Sequence, residues 1–522
     1  MRHSTCRPSQ QRSLAALCAL IAANALVACG GGNGGSSSDV AVPQPVANAL
    51  SKCTGLVGQA IEGAVVTRAD LIAASGSVPE RCSVLAEMPQ DLRFEVNMPT
   101  TWTDRTVFMG GGGFDGSIYD PTNPNGSNSP NIIERGYVTI ATNHGHTAGG
   151  ATFALNAEML NEYAYLAVPR VLPAAQKIMR LHYGDARVTR AKTIFEGCSG
   201  GGRQALIQVQ RYPNLFDGVI SRAPANSFTG QFTWYLNTTK QVAKRGAAVS
   251  LAKLQAIENA VYAKCDGLDG VTDRIVSRPD QCHFDPAELK CTGAETDACL
   301  TDGQIESARM FYAPTTGQYP WAGMPFGGEG QQGTTAYVFG GPVHQALADG
   351  YWKYFVAQNP SLDLLTIDPA VYVSRLDQLS AMIDATNADL SRFKARGAKL
   401  ILWTGMTDSL ITPNNTTEYY SKVVDQAGGQ AAADEFVEYF TAPGVNHCFG
   451  GTGADRVDLI GPMFDWIEKG THPSSVGMVA TQSTPLPGAT AVRRPLCKYP
   501  QYPKYNGSGD PNLETSFTCT SP

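Results

Sequence analysis

The stretch "TIFEGCSGGGRQALIQVQRYP", residues 193–213, turns a short apolar run into a helical one through a corner made almost entirely of glycine. A serine stands at that corner, in Gly197-Cys198-Ser199-Gly200-Gly201, and the spacing fits G-x-S-x-G. The glycines permit the strained turn and the close helix packing that expose a nucleophile at the end of a strand. A cysteine directly before the serine is not part of that requirement and needs its own explanation.

The flanking sequence reads as α/β. "RTVFM" (105–109), "GYVTIAT" (136–142), "AKTIFEG" (191–197), "FDGVISRAPA" (216–225), "AKLILWTG" (398–405) and "EFVEYFTAPG" (435–444) are predicted strands. "NEYAYLAVPRVLPAAQKIMRLHYG" has helical period, with Pro169 and Pro173 expected to cap or kink it, and "RVDLIGPMFDWIEKG" is a closing amphipathic helix. Strands alternating with helices predict a mostly parallel sheet. Between residues 227 and 396 the pattern breaks into Gly-, Pro- and aromatic-rich sequence with four cysteines, which reads as an insertion between strands, a lid.

A hydroxyl needs a base to take its proton and a carboxylate to orient that base. In the α/β-hydrolase fold these follow in the order Ser, Asp or Glu, His. "LILWTGMTDSLITP" presents Asp408 just past a strand end, a better placement than Asp384, Asp389 or Asp425. "VEYFTAPGVNHCFGG" puts His447 in the loop after the next strand; His144, His146, His182, His283, His344 and His472 compete less well. Cys448 follows His447 as Cys198 precedes Ser199. If serine and histidine touch, their neighbours are close enough for a disulfide, which would staple the histidine loop to the nucleophile. An oxyanion hole takes two donors: the backbone N–H of Gly200, and one from the "MGGGGFDG" loop after the first strand.

The chain has 522 residues, 43% hydrophobic and 16% charged, with net charge −6. No basic stripe exists, so nucleic acid is not an expected partner. Arg2, Arg7 and Arg12 precede the apolar "LAALCALIAANALVA" and then Leu26-Val27-Ala28-Cys29. This is export grammar resembling a lipobox. Lipid on Cys29 would anchor the protein to a bacterial membrane, periplasmic or outer, whereas cleavage after Ala25 would release it. "GGGNGGSSSDVAVPQPVAN" has tether composition. Of thirteen cysteines, ten remain past Cys29, an even number that suits disulfides in an exported chain; no C-x2-C pair supports zinc. "CDGLDGVTDRIVSRPDQC" gathers Asp266, Asp269 and Asp273 in one short loop, and from spacing alone it is equally a hard-cation site or a solvated acidic turn.

"GCSGGG", the Asp408 turn and "NHC" together resemble the tannase and feruloyl esterase family, whose mark is a disulfide between cysteines beside the catalytic serine and histidine. The resemblance runs from about Cys53 to Cys519. It includes hydrolases of mono(2-hydroxyethyl) terephthalate, to which "RPLCKYPQYPKYNGSGDPNLETSFTC" is similar. It implies further pairs Cys53–Cys82, Cys265–Cys282, Cys291–Cys299 and Cys497–Cys519, and it favours Gly112 as the second oxyanion donor. It also implies a structural Ca2+ in the lid, held by Asp266, Asp269, Asp273 and the carbonyls of Val271 and Ile275.

The domain reading is therefore a lipoprotein signal peptide at 1–28, a flexible tether at 29–50, an α/β-hydrolase catalytic domain at 51–226 and 397–522, and a lid with the calcium loop at 227–396. The expected activity is a serine carboxylesterase acting on small aromatic esters of hydroxycinnamic, hydroxybenzoic or gallic acids. A terephthalate-monoester hydrolase ranks second, because such enzymes use a lid arginine for the substrate carboxylate and "HQALADGYWKYFV" offers only Lys353. A non-catalytic surface-binding lipoprotein is the rival from another class. The lid aromatics "FTWYLN" and "GYWKYFVAQNP" are either stacking surface for substrate or lid core.

Overall fold

In the computed structural model, residues 45–122, 132–147, 149–331, 341–485 and 488–522 are described. The export segment, Cys29 and most of the tether lie outside the described residues.

Ten strands form one sheet: β1 (Ala60–Ile61), β2 (Ala64–Ile72), β3 (Arg81–Met88), β4 (Leu92–Pro99), β5 (Arg105–Met109), β6 (Val138–Thr142), β7 (Lys192–Cys198), β8 (Gly218–Arg222), β9 (Lys399–Gly405) and β10 (Val437–Ala442). Their order is β1-β2-β3-β4-β6-β5-β7-β8-β9-β10. From β6 to β10 every neighbouring pair is parallel. These strands are buried almost end to end, as in "VEYFTA" and "KLILWTG", because helices cover both faces.

The first four strands are antiparallel, and β4 joins β6 antiparallel. The sequence reading did not identify them, so the sheet is mixed rather than mostly parallel. Their signal was alternation: in β2, "AVVTRADLI", buried Ala64, Val66 and Ala69 are interleaved with exposed residues.

The long helix before β7 also departs from expectation. Pro169 is the third residue of the helix Ala167–Tyr183 and Pro173 lies inside it; the helix continues from a π-helical turn over Glu162–Leu166. Carbonyls of that turn take outside donors: buried Arg203 donates to Tyr163 O and Ala164 O. Pro169 lacks the N–H that would serve Ala164 O in the π turn, and Arg203 supplies that donor instead.

The segment between β8 and β9 is the insertion. Its helices include Phe228–Val242, Leu251–Cys265 and Val373–Ile383. Phe232, Trp234, Tyr235, Tyr351, Trp352 and Phe355 are all at most 3% exposed and belong to one apolar cluster with Phe153 and Tyr163. The lid aromatics are therefore core, with little ring face left for a ligand. The insertion and the sheet belong to one compact unit.

Among the described residues there are five disulfides: Cys53–Cys82, Cys198–Cys448, Cys265–Cys282, Cys291–Cys299 and Cys497–Cys519. They fit an oxidising, exported environment. Among the described residues no helix is long and apolar enough to cross a membrane.

Candidate active site

Ser199 sits between β7 and the helix Gly200–Arg211 with φ 65° and ψ −123°. That positive φ is uncommon for a non-glycine residue and is held by its surroundings. The Ser199 N–H donates to Arg222 O at 3.0 Å, and Ser199 O accepts from Ala225 N. A Cβ on Gly197 would come within 2.6 Å of the Gly201 backbone, and one on Gly201 within 2.5 Å of Gly111 O. Both glycines are thus sterically required by the corner.

Asp408 follows β9 and is fully buried. Its Oδ1 accepts from Leu410 N and Ile411 N at 2.9 and 2.8 Å. Oδ2 is left for His447 Nδ1, 2.7 Å away. With Nδ1–H given to the carboxylate, Nε2 is the acceptor, and Ser199 Oγ lies 2.9 Å from it. The loops carrying Asp408 and His447 are zipped together by Thr407 N to Val445 O at 3.0 Å and Thr407 Oγ1 to Asn446 Oδ1 at 3.1 Å. The structure so brings Ser199, His447 and Asp408 into one relay and leaves the other histidines outside it. His344 is buried against Ser409 O, and burial pushes its pKa down to about 3. His182 is likewise buried in the core cluster region and lowered to about 4.

The "GGGG" loop faces the corner. Gly110 N donates to Glu196 O, and Gly111 N donates to Gln204 Oε1. The amides of Gly112 and Gly113 have no such partner among the described residues. The α-carbon of Gly200 stands against this backbone, since a Cβ there would lie 3.1–3.5 Å from Gly113 O, Gly113 N and Gly112 C. Gly112 and Gly200 therefore present neighbouring backbone at the head of the serine helix.

The acidic loop is less simple. Asp266 accepts from Asp273 N, Arg274 N and Ile275 N, and Asp269 from Val271 N. Asp269 Oδ2 is buried without a hydrogen bond. Burial raises the pKa of Asp269, and it pushes Asp273 up to about 6 against the opposing Arg494, with Asp269 and Asp266 adding repulsion. Arg494, from the C-terminal segment, forms an ion pair with Asp273; sequence reasoning missed it. The three carboxylates and the orphaned oxygen suit a divalent cation chemically. Among the described residues, no group of three or more His, Cys, Asp or Glu side chains stands in an arrangement that could hold a metal as it is.

A mixed sheet with a parallel half, a strained serine at the strand–helix corner after β7, and an aspartate and a histidine just past the ends of β9 and β10 define an α/β-hydrolase. A model of the family described as "Tannase and feruloyl esterase" matches residues 77–520. The mono(2-hydroxyethyl) terephthalate hydrolase of Piscinibacter sakaiensis is 30% identical over 530 residues, covering 86% of either chain. A probable feruloyl esterase of Arthroderma benhamiae is 30% identical over 450 residues, covering 81% of each. Among solved structures, feruloyl esterase B from Aspergillus oryzae superposes with a TM-score of 0.79 at 22% identity, covering 91% of this chain and 100% of that one. Tannin acyl hydrolase from Aspergillus niger gives 0.72 at 21%, covering 92% and 97%. The chain belongs to the tannase and feruloyl esterase family and is a carboxylic ester hydrolase.

Proposed function

We propose that this protein hydrolyses small esters of aromatic carboxylic acids, feruloyl esterase- or tannase-like, through an acyl-enzyme on Ser199. The observation that carries the reading is the relay Ser199 Oγ–His447 Nε2–Asp408 at 2.9 and 2.7 Å. His447 takes the serine proton as Oγ attacks the ester carbonyl and returns it to the leaving alcohol. It then activates water to release the acid. Asp408 holds the imidazole and stabilises its protonated form. The N–H groups of Gly200 and Gly112 receive the developing oxyanion.

Aromatic-ester hydrolysis ranks above terephthalate-monoester hydrolysis on one contact. Lys353 Nζ is 2.8 Å from Asp349 Oδ1, one helical turn away, so its charge is already matched within the lid. The Piscinibacter relative keeps the second reading in play. Turnover of methyl ferulate, methyl gallate and mono(2-hydroxyethyl) terephthalate by the mature protein separates them. Loss of 4-nitrophenyl acetate hydrolysis in Ser199→Ala tests the serine mechanism itself.

A structural Ca2+ belongs to the same reading. Asp266, Asp269 and Asp273 with the carbonyls of Val271 and Ile275 would hold it, and it would order the lid loop bounded by Cys265–Cys282. Export with lipid attachment at Cys29 is also part of the proposal, so that membrane association is through that anchor alone; mass spectrometry of the mature N-terminus tests it.

A further inference from the structure

We infer that Gln204 is a positioning residue of the oxyanion hole, working as a two-ended amide that sets the loop carrying Gly112. The inference rests on the serine-esterase reading above and adds a residue to it.

Gln204 lies on the helix Gly200–Arg211 that follows Ser199 and is 3% exposed. Its two ends do different things. Oε1 accepts from Gly111 N at 3.3 Å, and Nε2 donates to Asp115 Oδ2 at 2.5 Å. Asp115 is fully buried, and the same Oδ2 lies 2.6 Å from buried His144 Nδ1. Its carboxylate packs over Gly111, so closely that a Cβ on Gly111 would meet Oδ1 at 2.7 Å. Asp115 N closes the loop by donating to Gly112 O at 2.9 Å. On the far side, Tyr163 Oη donates to Gly113 O at 3.0 Å.

The consequence for Gly112 is directional. The chain is held on both sides of it: at Gly111 by the Gln204 amide and the packing of the Asp115 carboxylate, at its own carbonyl by Asp115 N, and at Gly113 O by Tyr163. Its own N–H is left over for substrate. A buried polar group persists only when its partners are satisfied. Here both ends of the Gln204 amide are satisfied, by Gly111 N and Asp115 Oδ2, and their placement decides where the oxyanion donor points. Because Gln204 is five residues from Ser199 on one rigid helix, nucleophile and donor loop are referenced to the same element. A shift of about 1 Å in a catalytic group can cost on the order of a hundredfold in rate, and loss of one oxyanion donor about a hundred- to a thousandfold.

The test uses the mature protein, with 4-nitrophenyl acetate kinetics, thermal melting and inhibition by benzeneboronic acid, whose serine adduct is tetrahedral. Gln204→Met keeps volume and removes both bonds. It is expected to lower kcat about ten- to a hundredfold with KM within about threefold, and to weaken the boronate in step with kcat/KM. Gln204→Glu alone sets two carboxylates together and is expected to be at least as impaired. Gln204→Glu/Asp115→Asn exchanges amide and carboxylate between the positions, so that Gly111 N–H keeps an acceptor and the pair keeps one hydrogen bond. It is expected to recover at least tenfold over Gln204→Glu, a coupling that independent sites do not show. The inference is overturned if Gln204→Met retains kcat within twofold. It is also overturned if the exchange recovers nothing, and this arm decides alone should Gln204→Met not fold. If Ser199→Ala remains active, the serine mechanism falls first; if Ser199→Ala is inactive while the Gln204 variants are normal, only this inference falls.

Discussion

Cys198 and Cys448 are bonded with their Cα atoms 6.1 Å apart, although 250 residues separate them in the chain. Each adjoins a member of the relay, Ser199 on one side and His447 on the other. The bond therefore ties the nucleophile's corner to the loop that carries the base. The residues before His447 are also zipped to the Asp408 loop, and Asn446 N donates to Gly450 O, but at the turn itself Cys448 has φ 62°, Phe449 N donates back to His447 O, and Phe449 is 61% exposed. A crosslink closing so long a loop can contribute about 5 kcal/mol in the chain-entropy account. Its placement gives it a second effect, on rate. Cys198→Ala/Cys448→Ala is expected to lose kcat about ten- to a hundredfold, while circular dichroism still shows a folded protein. Full kcat in the double variant would reduce the cysteines to packing.

The three relay residues are expected to act as one unit. Ser199→Ala, His447→Ala and Asp408→Asn should each lower kcat by about a thousandfold or more. The double variant Ser199→Ala/His447→Ala should fall little below the singles. Asp408→Asn has a further signature. The asparagine amide would donate toward Nδ1, favour the wrong tautomer and leave Nε2 protonated. Single-turnover measurements should show the loss in acylation, with substrate binding preserved. Wild-type-like turnover in purified His447→Ala would remove the relay.

Legibility in the sequence followed the range of the forces involved. Ser199 was readable because strand, corner and helix lie within 21 consecutive residues, and each glycine there answers a local steric demand. Asp408 and His447 were readable from chain order and from their place just past a strand, and the two cysteines from their adjacency to the relay. Gln204 and Asp115 were not singled out, and His144 was weighed only as a rival to His447. In sequence they are ordinary polar residues of a helix and two loops; only the fold buries them against one another. Arg494 was missed for the same reason, since 221 residues separate it from Asp273. The antiparallel strands β2–β4 did carry a local signal in their alternation. The helix through Pro169 was obscured because its compensating donor, Arg203, comes from another element.

Stability is expected to fall as pH rises through the neutral range, with Glu329 contributing. This carboxyl is buried; Oε1 accepts from Tyr312 Oη and Gly327 N, both at 2.8 Å, while Oε2 is buried without a partner. Burial pushes its pKa up to about 7, nearby Glu258 adds repulsion, and the two hydrogen bonds oppose the shift. The folded state thus holds this proton more tightly than the unfolded chain does. Its contribution is full below the unfolded carboxyl range and is lost as pH rises toward and through about 7. At about 1.4 kcal/mol per unit the effect is on the order of 3 kcal/mol. Glu329→Gln, which stays neutral, should show a flatter dependence of urea midpoint on pH between 5 and 8 than the wild type. Parallel curves for the two proteins would show that Glu329 does not titrate in this window.

The acidic loop gives the last prediction. Asp266, Asp269 and Asp273 lie within eight residues, all largely buried, and among the described residues Arg494 is the one cationic side chain in an ion pair with any of them. Three carboxylates against one guanidinium leave excess negative charge in a poorly solvated place, and Asp269 Oδ2 has no hydrogen bond. A divalent cation would neutralise that excess and give the orphaned oxygen a partner. Hard oxygen donors select Ca2+ over softer metals. A cation that binds only the folded state stabilises it by mass action, about 2.7 kcal/mol at a free concentration one hundred times its Kd. Chelation should therefore lower the melting temperature, and added Ca2+ should restore it. Asp269→Asn should blunt that response while leaving Ser199 chemistry intact at low temperature, because the loop lies in the lid rather than in the relay. Arg494→Gln separates the two sources of positive charge. Without the guanidinium, the melting temperature should depend more strongly on Ca2+, not less. Elemental analysis finding no bound calcium, together with a melting temperature indifferent to both chelator and Ca2+, would leave Arg494 as the sole counter-charge and the loop as a solvated acidic turn.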